Sequence, residues 1–93
     1  MRRARDLTVH LGAVICAECT WGSDIVTAAA LHFAASTPRA SLMNTCDLSS
    51  YVAPRLCPDA PVRNDGRIAP PEGPGLGVVP DIDALGAPIL EVG

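Results

Sequence analysis

The first dozen residues place apolar and charged positions at the spacing of an amphipathic helix. Leu7 and Leu11 are four residues apart and share one side of such a helix. The charged residues fall on the other side: Arg2, Arg3, Arg5 and Asp6. Gly12 follows as a typical helix stop, so the pattern predicts a helix over residues 2–11.

Residues 13–17 are a continuous apolar run, Ala-Val-Ile-Cys-Ala. A short run without alternation is typical of a strand buried on both faces, as in parallel sheets. The polar residues 18–22 predict a turn after this strand.

The clearest helical pattern covers residues 25–36, where apolar residues occupy most of the circumference. Ser23 or Asp24 is placed to cap the helix, and Asp24 also complements the positive end of its dipole. The helix ends at Thr37-Pro38, because the residue before proline is displaced from the α region.

Helix, strand, loop and helix in this order form the repeating unit of an α/β barrel or a doubly wound sheet. We expect the strand over residues 13–17 to need strand neighbours that lie outside this chain. Residues 42–47 are a possible short extended piece, and Ile68 and Val78-Val79 are weaker candidates.

Composition changes after Tyr51, since eight of nine prolines and six of eight glycines lie between Pro54 and Gly93. Turns there are paired with apolar anchors, at residues 74–78 and 85–90, which favours an ordered tail over a disordered one. The pattern predicts two parts: a helix-strand-helix unit over residues 1–50 and an irregular tail over 51–93.

The composition is typical of a segment that is buried within a larger protein. Hydrophobic residues make up 48%, yet there is one Trp, one Tyr and one Phe, which is little for a self-sufficient core. The seven basic residues are all Arg and the net charge is −3, so there is no basic stripe for nucleic acid. Without any Lys, the chain cannot supply a Schiff-base or amine general-base residue.

No apolar run approaches the ~20 residues that span a bilayer, so we expect no membrane association. Residues 1–17 have the basic start and the apolar stretch of a signal peptide. Asp6 and His10 interrupt that stretch, and we therefore predict a cytoplasmic protein.

Four cysteines allow a second hypothesis, a small metal-binding or interaction protein. Cys16-x-x-Cys19 has the spacing of half a zinc site, but Cys46 and Cys57 are separated by ten residues, outside the usual spacing. We favour buried or partly exposed free thiols.

The candidate site residues directly follow the predicted strand. In α/β barrels the loops after the strands form the active-site face, so Glu18, Thr20 and Trp21 are candidates for a substrate pocket. A solvated Glu18 and a turn-forming Thr20 explain the same residues equally well. The Gly-x-Gly turn of residues 73–77 lacks the context of a phosphate loop.

Two motifs give a family resemblance. Glu18-x-Thr-Trp-Gly-x-Asp-Ile25 with the alanine-rich helix after it, and Asn64-Asp-Gly-Arg-Ile68 with Pro74-Gly-Leu-Gly-Val78, resemble the mandelate racemase/muconate lactonizing enzyme group of the enolase superfamily. The first motif is similar to the branch of cis-3-hydroxy-L-proline dehydratases.

The resemblance implies the C-terminal part of a TIM-type (β/α)-barrel, in which residues 13–17 form the last strand and the alanine-rich helix is the last helix, with a tail that returns to a capping domain. It implies proton abstraction α to the carboxylate of a small-molecule substrate, as in a dehydratase or racemase, with Mg²⁺ stabilising the enolate. The family's bases and metal carboxylates would lie on earlier strands, in the missing N-terminal part of the barrel and the capping domain. Cys19 stands where the similar dehydratases would have an acidic residue.

We therefore expect a fragment that is inactive by itself, with no cofactor of its own and no complete set of catalytic residues. We also expect it to be marginally stable and prone to aggregate through the apolar side chains of Val14, Ile25 and Phe33.

Overall fold

A computed structural model describes residues 1–92 of the chain. Its helices and strands are α1 (Arg2–His10), β1 (Ile15–Glu18), α2 (Ser23–Ala35) and β2 (Leu42–Cys46). Short 3₁₀ turns cover Arg39–Ser41, Leu48–Tyr51 and Asp83–Leu85. No helix within residues 1–92 has the length and apolar character needed to cross a membrane.

The two strands form a parallel sheet joined by α2, which makes a β-α-β unit. The Cα register pairs Cys16 with Asn44, Ala17 with Thr45 and Glu18 with Cys46. The α/β class is therefore confirmed, and the extended piece expected near residues 42–47 is β2.

The expectation that β1 is the last strand, with all its neighbours outside this chain, is wrong. β2 follows α2 and pairs with one edge of β1. The apolar pattern did not identify residues 42–46 as a buried strand, because polar side chains interrupt it. Val14 is not part of β1 and is 57% exposed. Glu18, which the sequence pattern placed in a turn, is the last residue of β1.

The core around α2 is built from small side chains. α2 starts at Ser23, with Gly22 as its N-cap and no side-chain cap, so neither Ser23 nor Asp24 has the capping role expected of it. Among residues 1–92 the buried apolar side chains are Ala17, Cys19, Ala28, Ala30, Leu31, Ala34, Cys57 and Ala60. So many alanines let α2 approach the strands closely but bury little apolar area per residue.

Asp24 anchors the tail to α2. Its side chain is only 2% exposed and accepts hydrogen bonds from Arg55 Nε at 2.7 Å and from the Cys57 backbone N–H at 3.0 Å. Burial alone raises the pKa of Asp24, but these hydrogen bonds and the positive charge of Arg55 outweigh it, so the pKa lies below its ordinary value. A second carboxylate, Asp47, pairs with Arg63 farther along the tail.

The remaining tail is less closely attached. His32 Nε2 lies 3.1 Å from the Leu76 carbonyl oxygen, so His32 has the hydrogen-bonding role that is usual for a lone helical histidine. Every residue from Asp81 to Val92 is exposed. The Cα radius of gyration is 14.9 Å, against about 12 Å for a compact domain of this length. The chain is thus more extended than a self-contained domain.

We predict that Arg55→Ala frees the start of the tail. Asp24 would keep a buried charge without its cation, which costs about 1–3 kcal/mol after allowing for the partial exposure of Arg55. Thermolysin should then cut residues 52–60 at least about tenfold faster than in the unmodified chain. Arg67→Ala, at an exposed arginine of the same tail, is the control, and thermolysin should cut it at the same rate as the unmodified chain. Equal rates for both variants would contradict the anchor.

Acid should release the same anchor. Because the folded pKa of Asp24 lies below its ordinary value of 3.8, its stabilising effect is complete above that value and is lost as the pH falls through the folded pKa. Trp21 lines the same small cavity as Arg55 and Pro54, so its fluorescence should change in this acid range. Asp24→Asn should show the released signal already at pH 7; a variant with the unmodified signal would count against this prediction.

Candidate functional site

The end of the parallel sheet brings together four polar side chains on one face. Successive residues of a strand point to opposite faces, and the register places Cys16 beside Asn44 and Glu18 beside Cys46. Cys19 lies on the opposite face, where Thr27 of α2 contacts its thiol. We name the face away from α2 the uncovered face; it consists of Cys16, Glu18, Asn44 and Cys46.

A hydrogen bond crosses the two strands on the uncovered face. The Cys16 thiol donates to Asn44 Oδ1, and its sulfur lies 3.7 Å from Glu18 Oε1. Burial raises the pKa of Cys16, and the Glu18 carboxylate and the Cys46 thiol raise it further. Cys16 is therefore a neutral donor at pH 7, beside a carboxylate and an amide that lie at the exposed surface.

The loop after β1 holds unusual backbone conformations. Thr20, Trp21 and Ser23 have φ of 47°, 60° and 69°, in the left-handed region that side chains other than glycine rarely adopt. A β-branched residue such as Thr20 is especially disfavoured there, and strain of this kind clusters at functional sites. At Gly22 a Cβ would lie 2.5 Å from the Val26 side chain, so any other residue would have to displace Val26.

The predicted pocket residues therefore lie at one end of the sheet. Glu18 ends β1 on the uncovered face, and Thr20 and the 61%-exposed Trp21 project from the strained loop next to it. Their part in a substrate pocket stays a prediction, because it requires contacts beyond those within this chain.

Cys19 occupies a buried site surrounded by hydrogen-bond donors. Burial raises its pKa, but contacts from the Ser49 backbone N–H, the Thr27 and Ser49 hydroxyls and the Trp21 backbone N–H lower it below the ordinary value. The Ser49 hydroxyl lies 3.7 Å from the sulfur and 2.9 Å from the Ser23 carbonyl oxygen. Ser49 thus ties the turn after β2 to the strained loop.

Asp47 was missed by the sequence analysis. It directly follows β2, is 3% exposed and pairs with Arg63 through Oδ1, while Oδ2 has no hydrogen-bond partner among the described residues. Asn44 was missed as well, because nothing in the sequence gave the register that places it beside Cys16. An acidic residue at the end of a second extended piece was the one available signal for Asp47.

The geometry does not favour the zinc hypothesis. Cys16 and Cys19 are three residues apart at the end of a strand, so their side chains point to opposite faces. Within residues 1–92 no three His, Cys, Asp or Glu side chains are grouped so that they could hold a metal ion. The described residues also do not form a complete Mg²⁺ site, because Glu18 is a single carboxylate and Asp47 is paired with Arg63.

The family follows from comparison with known proteins. Residues 1–84 match the family described as enolase C-terminal domain-like. The chain is 42% identical over 85 residues to the cis-3-hydroxy-L-proline dehydratase of Roseibium aggregatum, covering 91% of this chain and 23% of that protein. It therefore belongs to the enolase superfamily, with the mandelate racemase/muconate lactonizing enzyme C-terminal domain.

Solved structures of the same superfamily resemble the fold of this chain. A mandelate racemase/muconate lactonizing enzyme from Roseovarius nubinhibens ISM is 42% identical with a TM-score of 0.86, over 96% of this chain and 24% of that one. An enolase-superfamily member from the same organism, complexed with magnesium, is 38% identical with a TM-score of 0.88 over the same shares. The chain thus spans about a quarter of the length of the relatives it matches.

We predict that Glu18→Gln raises the reactivity of Cys16. Removing the carboxylate removes one of the causes that raise the Cys16 pKa, so more thiolate forms and iodoacetamide should alkylate Cys16 roughly 2–5-fold faster at pH 8. Mass spectrometry of the Cys16 peptide measures the rate. Glu72→Gln, in the exposed tail, is the matched control and should not change it. The contact between Cys16 and Glu18 is refuted if the two variants react alike.

Proposed function

We propose that this chain forms one wall of the active site of an enolase-superfamily enzyme that removes a proton α to the carboxylate of a small acid. The uncovered face carries this proposal: four polar side chains stand at the carboxyl ends of two parallel strands, where α/β folds bind ligands. The family membership and the quarter-length match support it. We further propose that the two strands belong to a TIM-type (β/α)-barrel with the uncovered face toward its interior.

Each residue then has a defined part. Glu18 provides an acceptor for a substrate hydroxyl or ammonium group, and the Asn44 amide provides donors once its oxygen has accepted from Cys16. Trp21 and Thr20 close the pocket from the loop side. These residues bind and orient the substrate. The proton-abstracting base would lie in the other three quarters of an enzyme as long as the relatives.

Mg²⁺ would stabilise the developing enolate charge when bound, and its ligands would lie outside this chain, since the described residues do not form a site for it. Magnesium is present in two solved relatives. Dehydration and racemisation both start with the same proton abstraction, and the similarity to the Roseibium dehydratase favours dehydration.

The tail over residues 51–93 has two roles in this proposal. Its first part braces the start of α2 through the Arg55 ion pair and the end of β2 through the Arg63 ion pair. Its exposed end, with Ile82, Leu85 and Ile89 at the surface, would pack on a capping domain. The four free thiols fit the reducing cytoplasm.

The decisive experiment is a chimera. The matching C-terminal quarter of the Roseibium dehydratase is replaced by this chain, and kcat/KM is measured with cis-3-hydroxy-L-proline. We expect measurable dehydration, and we expect Glu18→Ala and Asn44→Ala to lower kcat/KM by about 10–1,000-fold through lost substrate contacts. Glu72→Ala should leave it unchanged. Full activity in both site variants of a folded chimera would refute the assignment of the pocket wall.

The 93-residue chain alone should neither bind Mg²⁺ tightly nor convert any acid substrate. The reason is that a single exposed carboxylate cannot provide the several oxygen ligands that Mg²⁺ needs from its protein site and substrate. Titration calorimetry with MgCl₂ and an assay with cis-3-hydroxy-L-proline test this. Turnover by the purified chain would show that the catalytic residues are complete here.

A further inference from the structure

Trp21 projects from the strained loop after β1 with little packing of its own. It is 61% exposed, and Thr20, Trp21 and Ser23 all have φ in the left-handed region. Residues in this region persist only where contacts from the surrounding structure hold them. The orientation of the indole therefore depends on what fixes the backbone of the loop.

A buried serine from another part of the chain contacts this loop. Ser49 lies in the turn after β2, is 3% exposed and donates a 2.9 Å hydrogen bond to the Ser23 carbonyl oxygen. Its hydroxyl oxygen also lies 3.7 Å from the sulfur of Cys19, on the other side of Trp21 in the sequence. One hydroxyl group thus contacts the loop on both sides of Trp21.

The other contacts of the loop leave this role to Ser49. Thr27 Oγ1 donates to the same Ser23 carbonyl oxygen at 3.2 Å, but Thr27 belongs to α2, which directly follows the loop. The ion pair between Asp24 and Arg55 fixes the first turn of α2. Outside α2, no other side chain among residues 1–92 hydrogen-bonds to residues 19–23.

Packing does not fix the indole on the side of the tail. A cavity of about 120 Å³ separates the loop from the residues that follow β2. Trp21 and Ser23 line it from the loop, and Ser49, Val52 and Leu56 line it from the turn and the tail. This space allows the indole to move once the loop is released, so hydrogen bonds must hold the loop in place.

We propose that Ser49 is a positioning residue for the substrate pocket: its hydroxyl group holds the loop so that Trp21 stands next to Glu18 at the end of the sheet. The inference rests on the proposed function for the part of Trp21 in substrate binding. Ser49 acts through Trp21 and does not touch the substrate, because it is buried beside Cys19, on the face of the sheet opposite the uncovered face.

The motion of Trp21 tests this contact in the 93-residue chain, since Trp21 is the one tryptophan of the sequence. Ser49→Ala should increase the amplitude of nanosecond indole motion roughly twofold in time-resolved fluorescence anisotropy. Ser50→Ala, at the exposed neighbour in the same turn, is the matched control and should change nothing. Ser49→Thr keeps the hydroxyl group, and the cavity has room for its methyl group, so it should retain the unmodified motion.

Circular dichroism shows whether each variant is folded. Ser49→Cys keeps the shape of the side chain but offers only a weak donor, so it takes the place of Ser49→Ala if the alanine variant unfolds.

The chimera with the Roseibium dehydratase tests the consequence for catalysis. Ser49→Ala should lower kcat/KM for cis-3-hydroxy-L-proline about 3–10-fold, mostly through KM, because a hydrogen bond that orients a substrate contact is lost. In a chimera that already carries Trp21→Ala, the same substitution should change kcat/KM by less than about twofold. A merely structural role of Ser49 would give the full loss in both chimeras.

Three outcomes overturn the proposal: indole motion that neither Ser49→Ala nor Ser49→Cys changes, unfolding of the chain by both substitutions, or an equal loss of kcat/KM with and without Trp21. The two measurements separate this inference from the proposed function. Unchanged indole motion together with an active chimera refutes the role of Ser49 alone, whereas increased indole motion together with an inactive chimera refutes the proposed function alone.

Discussion

The structure depends on the pairing of β1 with β2. A parallel strand satisfies its backbone groups only through neighbours, and this chain supplies a neighbour on one side. The crossover through α2 brings the carboxyl ends of both strands to the same edge, which places Glu18, Asn44 and the two half-buried thiols on one face. The candidate site and the unpaired edge are two consequences of the same two-stranded arrangement.

Two buried carboxylates give the irregular tail its path. Asp24 and Asp47 lie at the start of α2 and just after β2, and each pairs with a tail arginine. A tail rich in proline and glycine has few backbone ladders, so charge pairing and single hydrogen bonds must position it. Asp24 achieves this with all its acceptor atoms satisfied, while Asp47 keeps one oxygen without a partner inside the described residues.

Most of the secondary structure was predictable because helices and the first strand have local signals. The helix over residues 2–11 and the alanine-rich helix ending before Pro38 agree with α1 and α2 within two residues at each end. β2 was harder to identify as a strand, since Asn44 and Thr45 interrupt its apolar pattern, and its pairing with β1 could not be inferred. In the candidate site, Glu18, Thr20 and Trp21 were found from their position after a strand, whereas Asn44 and Asp47 required the register.

The sequence by itself determined the family, the α/β class and the positions of the helices, because motif spacing and apolar periodicity are properties of neighbouring residues. Tertiary structure decided which side chains meet: the Cys16–Asn44 hydrogen bond spans 28 residues and the Asp24–Arg55 ion pair spans 31. Such contacts follow from strand register and from the path of the tail. Local sequence signals do not encode them, since a shift of one residue in the register would turn each strand's side chains to the opposite face.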